Sequence, residues 1–80
     1  GIYTIQLAAY STRGDAEQLV KKLQSKGVVA RVSGVKKPFR VRLAYFATRQ
    51  AAQDEVTALK ERGIIGFVTT EGQTPAGRSP

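Results

Sequence analysis

The chain contains no cysteine, histidine, methionine or tryptophan among its 80 residues. Without cysteine and histidine it can form neither disulfides nor thiolate or imidazole metal sites, and it lacks every Ser-His or Cys-His nucleophile. No apolar run approaches the roughly 20 residues that span a bilayer, and no signal-peptide pattern is present. Because the chain opens Gly-Ile-Tyr and lacks methionine, we expect it to be a piece of a longer protein, with any targeting or membrane segment elsewhere.

Acidic residues are also scarce. Six Asp and Glu stand against thirteen Lys and Arg, which gives a formal charge of +7 and a pI near 10.3. The apolar content of 41% is enough for the core of one small domain. The acids that lie close in sequence, Asp15 with Glu17 and Asp54 with Glu55, occupy predicted helix positions that diverge, so they form no catalytic carboxylate pair. No glycine cluster precedes a helix to cradle phosphate. These absences predict a basic binding module without enzymatic activity, cofactor or metal.

The two halves of the chain resemble each other. Residues 3–32 align with residues 39–68 without a gap, and nine of the thirty positions are identical, where roughly two are expected by chance. The identical positions are Leu7/Leu43, Ala8/Ala44, Thr12/Thr48, Arg13/Arg49, Ala16/Ala52, Val20/Val56, Leu23/Leu59, Gly27/Gly63 and Val32/Val68. Solenoids need at least three copies, so two copies must pack on each other. The alternative is that similar patterning arose in two unrelated elements.

Each half has the pattern of a strand, a helix and a second strand. Apolar residues alternate with polar or small ones at the start of each half, as in half-buried strands. They then recur at helical spacing from Ala16 to Leu23 and from Ala52 to Leu59. Thr12 and Thr48 are predicted helix N-caps.

Glycines end both predicted helices. Gly27 and Gly63 can adopt the left-handed conformation that follows a helix, and β-rich runs over 28–32 and 64–68 come next. A turn over 33–38 joins the two halves. The order β-α-β-β-α-β predicts an α+β, ferredoxin-like (RNP-like) two-layer sandwich. We expect an antiparallel four-stranded sheet with strands 1 and 3 in the middle and both helices on one face. The domain spans 1–71, and 72–80 is predicted to be a flexible tail.

One face of this sheet is predicted to remain exposed. Alternation directs Tyr3, Ile5, Leu7, Phe39, Val41 and Leu43 toward the helices. The outward residues are then Thr4, Gln6, Ala8, Val29, Arg31, Ser33, Arg40, Arg42, Ala44, Ile65, Phe67 and Thr69. None of these is acidic. The outward face is therefore expected to be cationic.

The side chains of the outward face are suited to a flat, partly anionic polymer. Arg31, Arg40 and Arg42 can recognise carboxylates or phosphates with two parallel hydrogen bonds. Gln6 can donate to and accept from sugar hydroxyls and acetamides, and Phe67 offers a flat apolar surface. The alternative is that the arginines only solvate the sheet.

These residues resemble the SPOR (sporulation-related repeat) domain. Residues 3–10, Tyr-Thr-Ile-Gln-Leu-Ala-Ala-Tyr, are similar to its first-strand motif. Residues 39–43 with Thr48 and Arg49 are similar to its second-unit motif, and the helix-plus-Gly endings also fit. The resemblance covers about residues 2–70.

The resemblance implies a ferredoxin-like fold whose exposed sheet face binds peptidoglycan glycan strands stripped of stem peptides. It also implies the bacterial cell envelope, periplasm or cell wall, and a module that targets a larger division, remodelling or spore-cortex protein. By position it implies roles in glycan binding for Gln6, Arg40 and Ile65. Ala8-Ala9 replaces the Gly-Ser of many members, and Pro38 stands near a tryptophan of some, so weaker binding or altered selectivity is expected.

Two other functions share this topology. RNA-recognition domains stack bases on aromatic residues of the exposed central strands, whereas Arg40, Arg42 and Ala44 are expected there, which disfavours nucleic acid. A protein-interaction or small-molecule regulatory module is the remaining alternative. Direct membrane insertion is not expected, and the oligomeric state is left open.

Overall fold

The computed structural model describes residues 2–71 as an α+β sandwich, and the predicted tail over 72–80 lies outside the described residues. The elements are β1 (Tyr3–Tyr10), α1 (Arg13–Gln24), β2 (Arg31–Ser33), β3 (Phe39–Arg42), α2 (Arg49–Glu61) and β4 (Phe67–Thr70). The strands form one sheet in the order β2-β3-β1-β4, and every neighbouring pair is antiparallel. The predicted ferredoxin-like fold, with strands 1 and 3 in the middle, is confirmed.

The helix ends are those expected from the sequence. Thr12 and Thr48 are N-caps, and each hydroxyl accepts a hydrogen bond from the backbone N–H three residues later, at 3.2 and 3.1 Å. Gly27 and Gly63 follow the helices with φ of 80° and 81°, a conformation that costs glycine little.

The hydrophobic core lies between the sheet and the two helices. Its buried members are Ile5, Ala16, Leu23, Val28, Val41, Leu43, Ala52, Leu59 and Ile64. Ala16 and Ala52 are completely buried, and their small side chains let each helix lie close to the sheet. No helix within residues 2–71 has the length and apolarity needed to cross a membrane.

Two arginines join the halves of the chain reciprocally. The guanidinium of Arg13, in α1, lies 5.6 Å from the centre of the Phe39 ring in β3. The guanidinium of Arg49, in α2, lies 5.4 Å from the centre of the Tyr3 ring in β1. Cations attract the faces of aromatic rings, so each half of the domain stabilises the other by the same contact.

A β-bulge in β1 changes the predicted alternation. Gln6 pairs with Arg42, but Ala8 pairs with Val41, which leaves Leu7 as the extra residue. Beyond the bulge Ala8 lies opposite buried Val41, and exposed Ala9 lies opposite Arg40. The prediction that Ala8 faces outward is therefore wrong, because strict alternation does not allow for an inserted residue.

The second strand of each half starts three residues later than predicted. The N–H groups of Val28 and Ile64 donate to carbonyls in the last turns of α1 and α2, at 2.9 and 3.0 Å, so these residues still belong to the helix ends. Val29 and Ile65 follow them as exposed residues outside the sheet. Their predicted positions on the outward face of a strand are wrong for this reason.

Gly66 is the position where the sheet leaves no room for a side chain. A Cβ there would lie 2.5 Å from Leu7 Cδ2 and 2.8 Å from Ile5 Cγ2. We expect Gly66→Ala to lower the free energy of unfolding by about 1–3 kcal/mol, because the crowded core must shift. Urea unfolding followed by circular dichroism measures this change.

Gly14→Ala is the matched control. Gly14 lies in α1, and a Cβ there meets nothing within 4 Å. Alanine also favours the helix, so this variant should be as stable as the original chain or up to about 1 kcal/mol more stable. Equal unfolding midpoints for the two variants would contradict the packing described around Gly66.

Candidate functional site

The face of the sheet opposite the helices is called the outer face. One row of paired residues crosses all four strands in the order Arg31, Arg42, Gln6 and Phe67, each the register partner of the next. Directly paired residues point to the same side of an antiparallel sheet. Strand pairing thus brings four of the six predicted site residues together.

Arg42 and Gln6 are joined within this row. The Arg42 Nε donates to the Gln6 Oε1 at 3.0 Å. The Arg42 side chain is only 12% exposed, so the bond is shielded from water. Because the Gln6 oxygen already accepts this bond, the amide N–H groups of Gln6 are the donors that remain for a ligand.

An acidic residue lies on the outer face, where none was expected. Glu71 directly follows β4, and its carboxylate reaches Arg31, whose two terminal nitrogens lie 2.7 and 3.3 Å from its oxygens. The hydroxyl of Ser33 donates to it at 2.8 Å, and an Arg42 nitrogen lies 3.6 Å away. The prediction of an acid-free face is wrong, because it counted only residues within the predicted strands. Continuing the alternation from Phe67 by four residues would have reached Glu71.

Glu71 and Arg31 form an ionised pair. The hydrogen bonds from Arg31 lower the pKa of the Glu71 carboxyl below its usual value, against the opposing effect of burial, and Ser33 adds to the lowering. The same pairing raises the pKa of Arg31. The outer face therefore carries less free positive charge than its three arginines imply.

The face is closed around Arg31. The Arg31 guanidinium lies 4.7 Å from the centre of the Tyr45 ring, and its Nε donates to the carbonyl of Leu43 at 3.0 Å. Thr4, predicted to face outward, is completely buried, and its hydroxyl donates to the same carbonyl at 2.8 Å. The chain that follows β3 thus covers Thr4 and part of Arg31, whose side chain remains 34% exposed.

The rest of the outer face is open. The guanidinium of Arg40 makes neither an ion pair nor a side-chain hydrogen bond with any residue of the described range. Its register partner Ala9 is exposed, and Phe67 is 56% exposed. We call the surface formed by Gln6, Ala9, Arg40 and Phe67 the open half of the outer face.

A shallow depression borders the open half. It has a volume of about 490 Å³ and is lined by Ala9, Tyr10, Ser11, Lys37 and Pro38. Lys37 adds a positive charge to its rim, and the rest of the lining is largely apolar. A ligand on the open half could therefore extend along the end of β1.

Ile65 is the predicted site residue that does not lie on the outer face. It lies before β4 and lines a separate pocket of about 200 Å³, together with Leu19 and Lys22 of α1. This pocket lies against a helix that packs on the opposite side of the sheet. The late start of β4 accounts for this position.

The donors of the outer face suit anions and neutral oxygen atoms. Guanidinium and amide N–H groups bind carboxylates, hydroxyls and carbonyls, not cations. Nowhere in residues 2–71 do three or more acidic residues gather in a group that could hold a metal ion.

The pairing of Glu71 predicts a pH dependence of stability. Since the pKa of Glu71 is lower in the folded chain than its usual 4.5, its contribution is present above that value and is lost as the pH falls through the folded-state pKa. At pH 7 we expect Glu71→Gln to be less stable by roughly 1 kcal/mol, since the pair is partly solvated. The difference should shrink toward zero in acid, measured by urea unfolding between pH 7 and 3. A difference that stays constant with pH would contradict the pairing.

Comparison with known proteins supports the same architecture. No curated protein matches the chain. A solved structure, the peptidoglycan-binding domain of the B. subtilis cell wall lytic enzyme CwlC, superimposes with a TM-score of 0.72 over 90% of this chain and 91% of that one. The two are 23% identical, so this likeness shows the fold. The SPOR domain family matches residues 1–70, and the chain therefore belongs to the SPOR domain family.

Proposed function

We propose that this domain binds peptidoglycan through the open half of the outer face and recognises glycan strands that have lost their stem peptides. Membership of the SPOR family and the fold shared with a peptidoglycan-binding domain support a peptidoglycan-binding module. The observation that carries the proposal is Arg40, whose guanidinium has no acidic partner within residues 2–71 and which lies on the same face as Gln6, two pairing rows away.

The chemistry of the stripped strand matches these groups. Removal of the stem peptide leaves a free lactyl carboxylate on N-acetylmuramic acid, which Arg40 can bind through a charge-assisted pair of hydrogen bonds. The Gln6 amide donates to a hydroxyl or acetamide oxygen, and the exposed Phe67 ring packs against a sugar ring. An intact stem peptide would replace the carboxylate by a neutral amide and crowd the flat sheet.

The other predicted site residues have different roles in this proposal. Arg42 orients Gln6 through its hydrogen bond at 3.0 Å, and Arg31 lies at the closed end of the row. Ile65 would touch only a glycan that extends past the β4 edge, because it lies before that strand.

The departures from the family pattern lie on or beside the open half. Ala9 presents a methyl group where many members have serine, and Pro38 lines the depression near the place where some have tryptophan. The loss of a hydroxyl and a large ring removes a hydrogen bond and stacking area. We expect weaker binding or altered glycan selectivity as a result.

In the cell, this binding would direct a larger protein of the bacterial envelope to places where amidases have removed stem peptides, such as division or remodelling sites. The domain itself is proposed to be non-catalytic, with no cofactor, and to reside in the periplasm or the cell wall. The RNA-binding alternative is disfavoured because the central strands present Gln6, Ala9, Arg40 and Arg42 outward, none of them aromatic.

Two substitutions test the binding surface. Arg40→Ala and Gln6→Ala should each reduce co-sedimentation with amidase-treated sacculi by about 5- to 20-fold in affinity, because each removes a ligand hydrogen bond. Arg40 makes no ion pair or side-chain hydrogen bond within residues 2–71, so Arg40→Ala should keep the unfolding midpoint of the original chain. Gln6→Ala leaves the Arg42 Nε without its acceptor, so it should lower the free energy of unfolding by about 1 kcal/mol and remain folded.

Lys60→Ala is the control, since it removes one positive charge from the exposed last turn of α2. Lys60→Ala should bind stripped sacculi as tightly as the original chain does. Both proteins should bind weakly to sacculi that keep their stem peptides. Undiminished pelleting of both Arg40→Ala and Gln6→Ala would refute the proposed surface. Equal binding to intact and stripped sacculi would refute the preference for peptide-free strands.

A further inference from the structure

The carboxylate of Glu71 occupies a complete carboxylate-binding site. Two nitrogens of Arg31 lie 2.7 and 3.3 Å from its oxygens, and the Ser33 hydroxyl donates to it at 2.8 Å. An Arg42 nitrogen lies 3.6 Å from it. These donors come from β2 and β3, whereas Glu71 comes from the opposite edge of the sheet, after β4. The site is built by two strands and filled by a residue that belongs to neither.

This site adjoins the open half of the outer face. Arg40 and Arg42 are two residues apart in β3 and point to the same side, about 7 Å from each other along the strand. A polymer that binds Arg40 through one of its carboxylates therefore lies next to the site that Glu71 fills. Arg42 contacts both Glu71 and Gln6, so it connects the two regions.

We propose that Glu71 is an internal competitor for the ligand: a carboxylate of the glycan displaces the Glu71 carboxylate from Arg31, Arg42 and Ser33. This inference rests on the proposed function of the outer face. It adds a second anion site to Arg40 and makes Glu71 the group that limits access to that site.

Glu71 is held in a way that permits exchange. Its backbone N–H donates to the carbonyl of Ile2, the residue before β1, at 3.0 Å, just beyond the end of β4. The Arg31 side chain remains 34% exposed and that of Glu71 17%, so water can reach the pair during exchange. A pair that is partly open to water can separate without leaving both charges buried, so its carboxylate can be replaced by another.

Competition from within the chain favours a polymer over a small ion. A tethered carboxylate has an effective concentration in the millimolar range, so a free monocarboxylate below that concentration does not displace it. A glycan strand that also contacts Arg40, Gln6 and Phe67 has several contacts with which to compete. The site should therefore respond to a carboxylate-bearing strand and not to acetate.

The opposite role for Glu71 is a permanent brace that holds Arg31 and Arg42 in a binding conformation. The two roles predict opposite changes in ligand affinity when the charge of Glu71 is removed. A competitor weakens ligand binding, so its loss strengthens binding. A brace supports binding, so its loss weakens it.

The test compares Glu71→Gln with Glu61→Gln in co-sedimentation with amidase-treated sacculi. Glu61 lies at the exposed end of α2, so its substitution raises the net charge by the same amount without touching the outer face. We expect Glu71→Gln to bind about three- to tenfold more tightly and Glu61→Gln to bind like the original chain. Unfolding by urea at pH 7 verifies that both variants are folded under the binding conditions.

A second measurement follows the carboxyl group itself. In NMR titrations of the side-chain carboxyl carbon, the pKa of Glu71 should rise toward its usual value when solubilised peptide-free glycan strands are added. Acetate at the same carboxylate concentration, kept below the millimolar range, should leave it unchanged.

Equal or weaker binding by Glu71→Gln, with normal binding by the original chain, overturns this inference and leaves the proposed function standing. An increase of the same size in Glu61→Gln also overturns it, since the effect is then one of net charge. If the original chain and every variant fail to pellet with stripped sacculi, the proposed function fails, and the inference falls with it.

Discussion

Both helices pack on one face of the sheet, and this one-sided packing determines what each residue of the two central strands can do. Ile5 and Val41 are completely buried on the helix side, with Ala16 and Ala52 allowing the helices to approach closely. The side chains between them in the strands must then point away from the helices. Residues 2–71 form no third layer over these side chains, so the face can remain free for a ligand.

The arginines of the outer face differ in whether they have an acidic partner, and this difference divides the face into two regions. Glu71 partners Arg31 and approaches Arg42, and Arg42 in turn holds the oxygen of Gln6. Arg40, two pairing rows away, has no such partner within residues 2–71. A buried or paired guanidinium contributes shape and order, whereas an unpaired one on the surface retains its full attraction for an anion. The position of a single acid thus separates supporting arginines from one that is available to bind.

The fold could be predicted from the sequence because its signals are local and agree with one another. The N-cap threonines, the helical spacing of apolar residues and Gly27 and Gly63 each specify a short segment without reference to the rest of the chain. The order of strands and helices then leaves few topologies. The bulge at Leu7 could not be predicted in this way, because it depends on how β1 pairs with β3 and leaves the local pattern unchanged.

The site could be predicted only in part. The row of Arg31, Arg42, Gln6 and Phe67 follows from alternation and pairing, which the sequence pattern contains. The pairing of Glu71 is a contact between residues 40 positions apart, so no local pattern indicates it. The most direct test of the account is an NMR map of backbone amide shifts on addition of peptide-free glycan strands. Binding at the open half of the outer face should give changes centred on Gln6, Ala9, Arg40 and Phe67, and changes confined to α1 and α2 would contradict it.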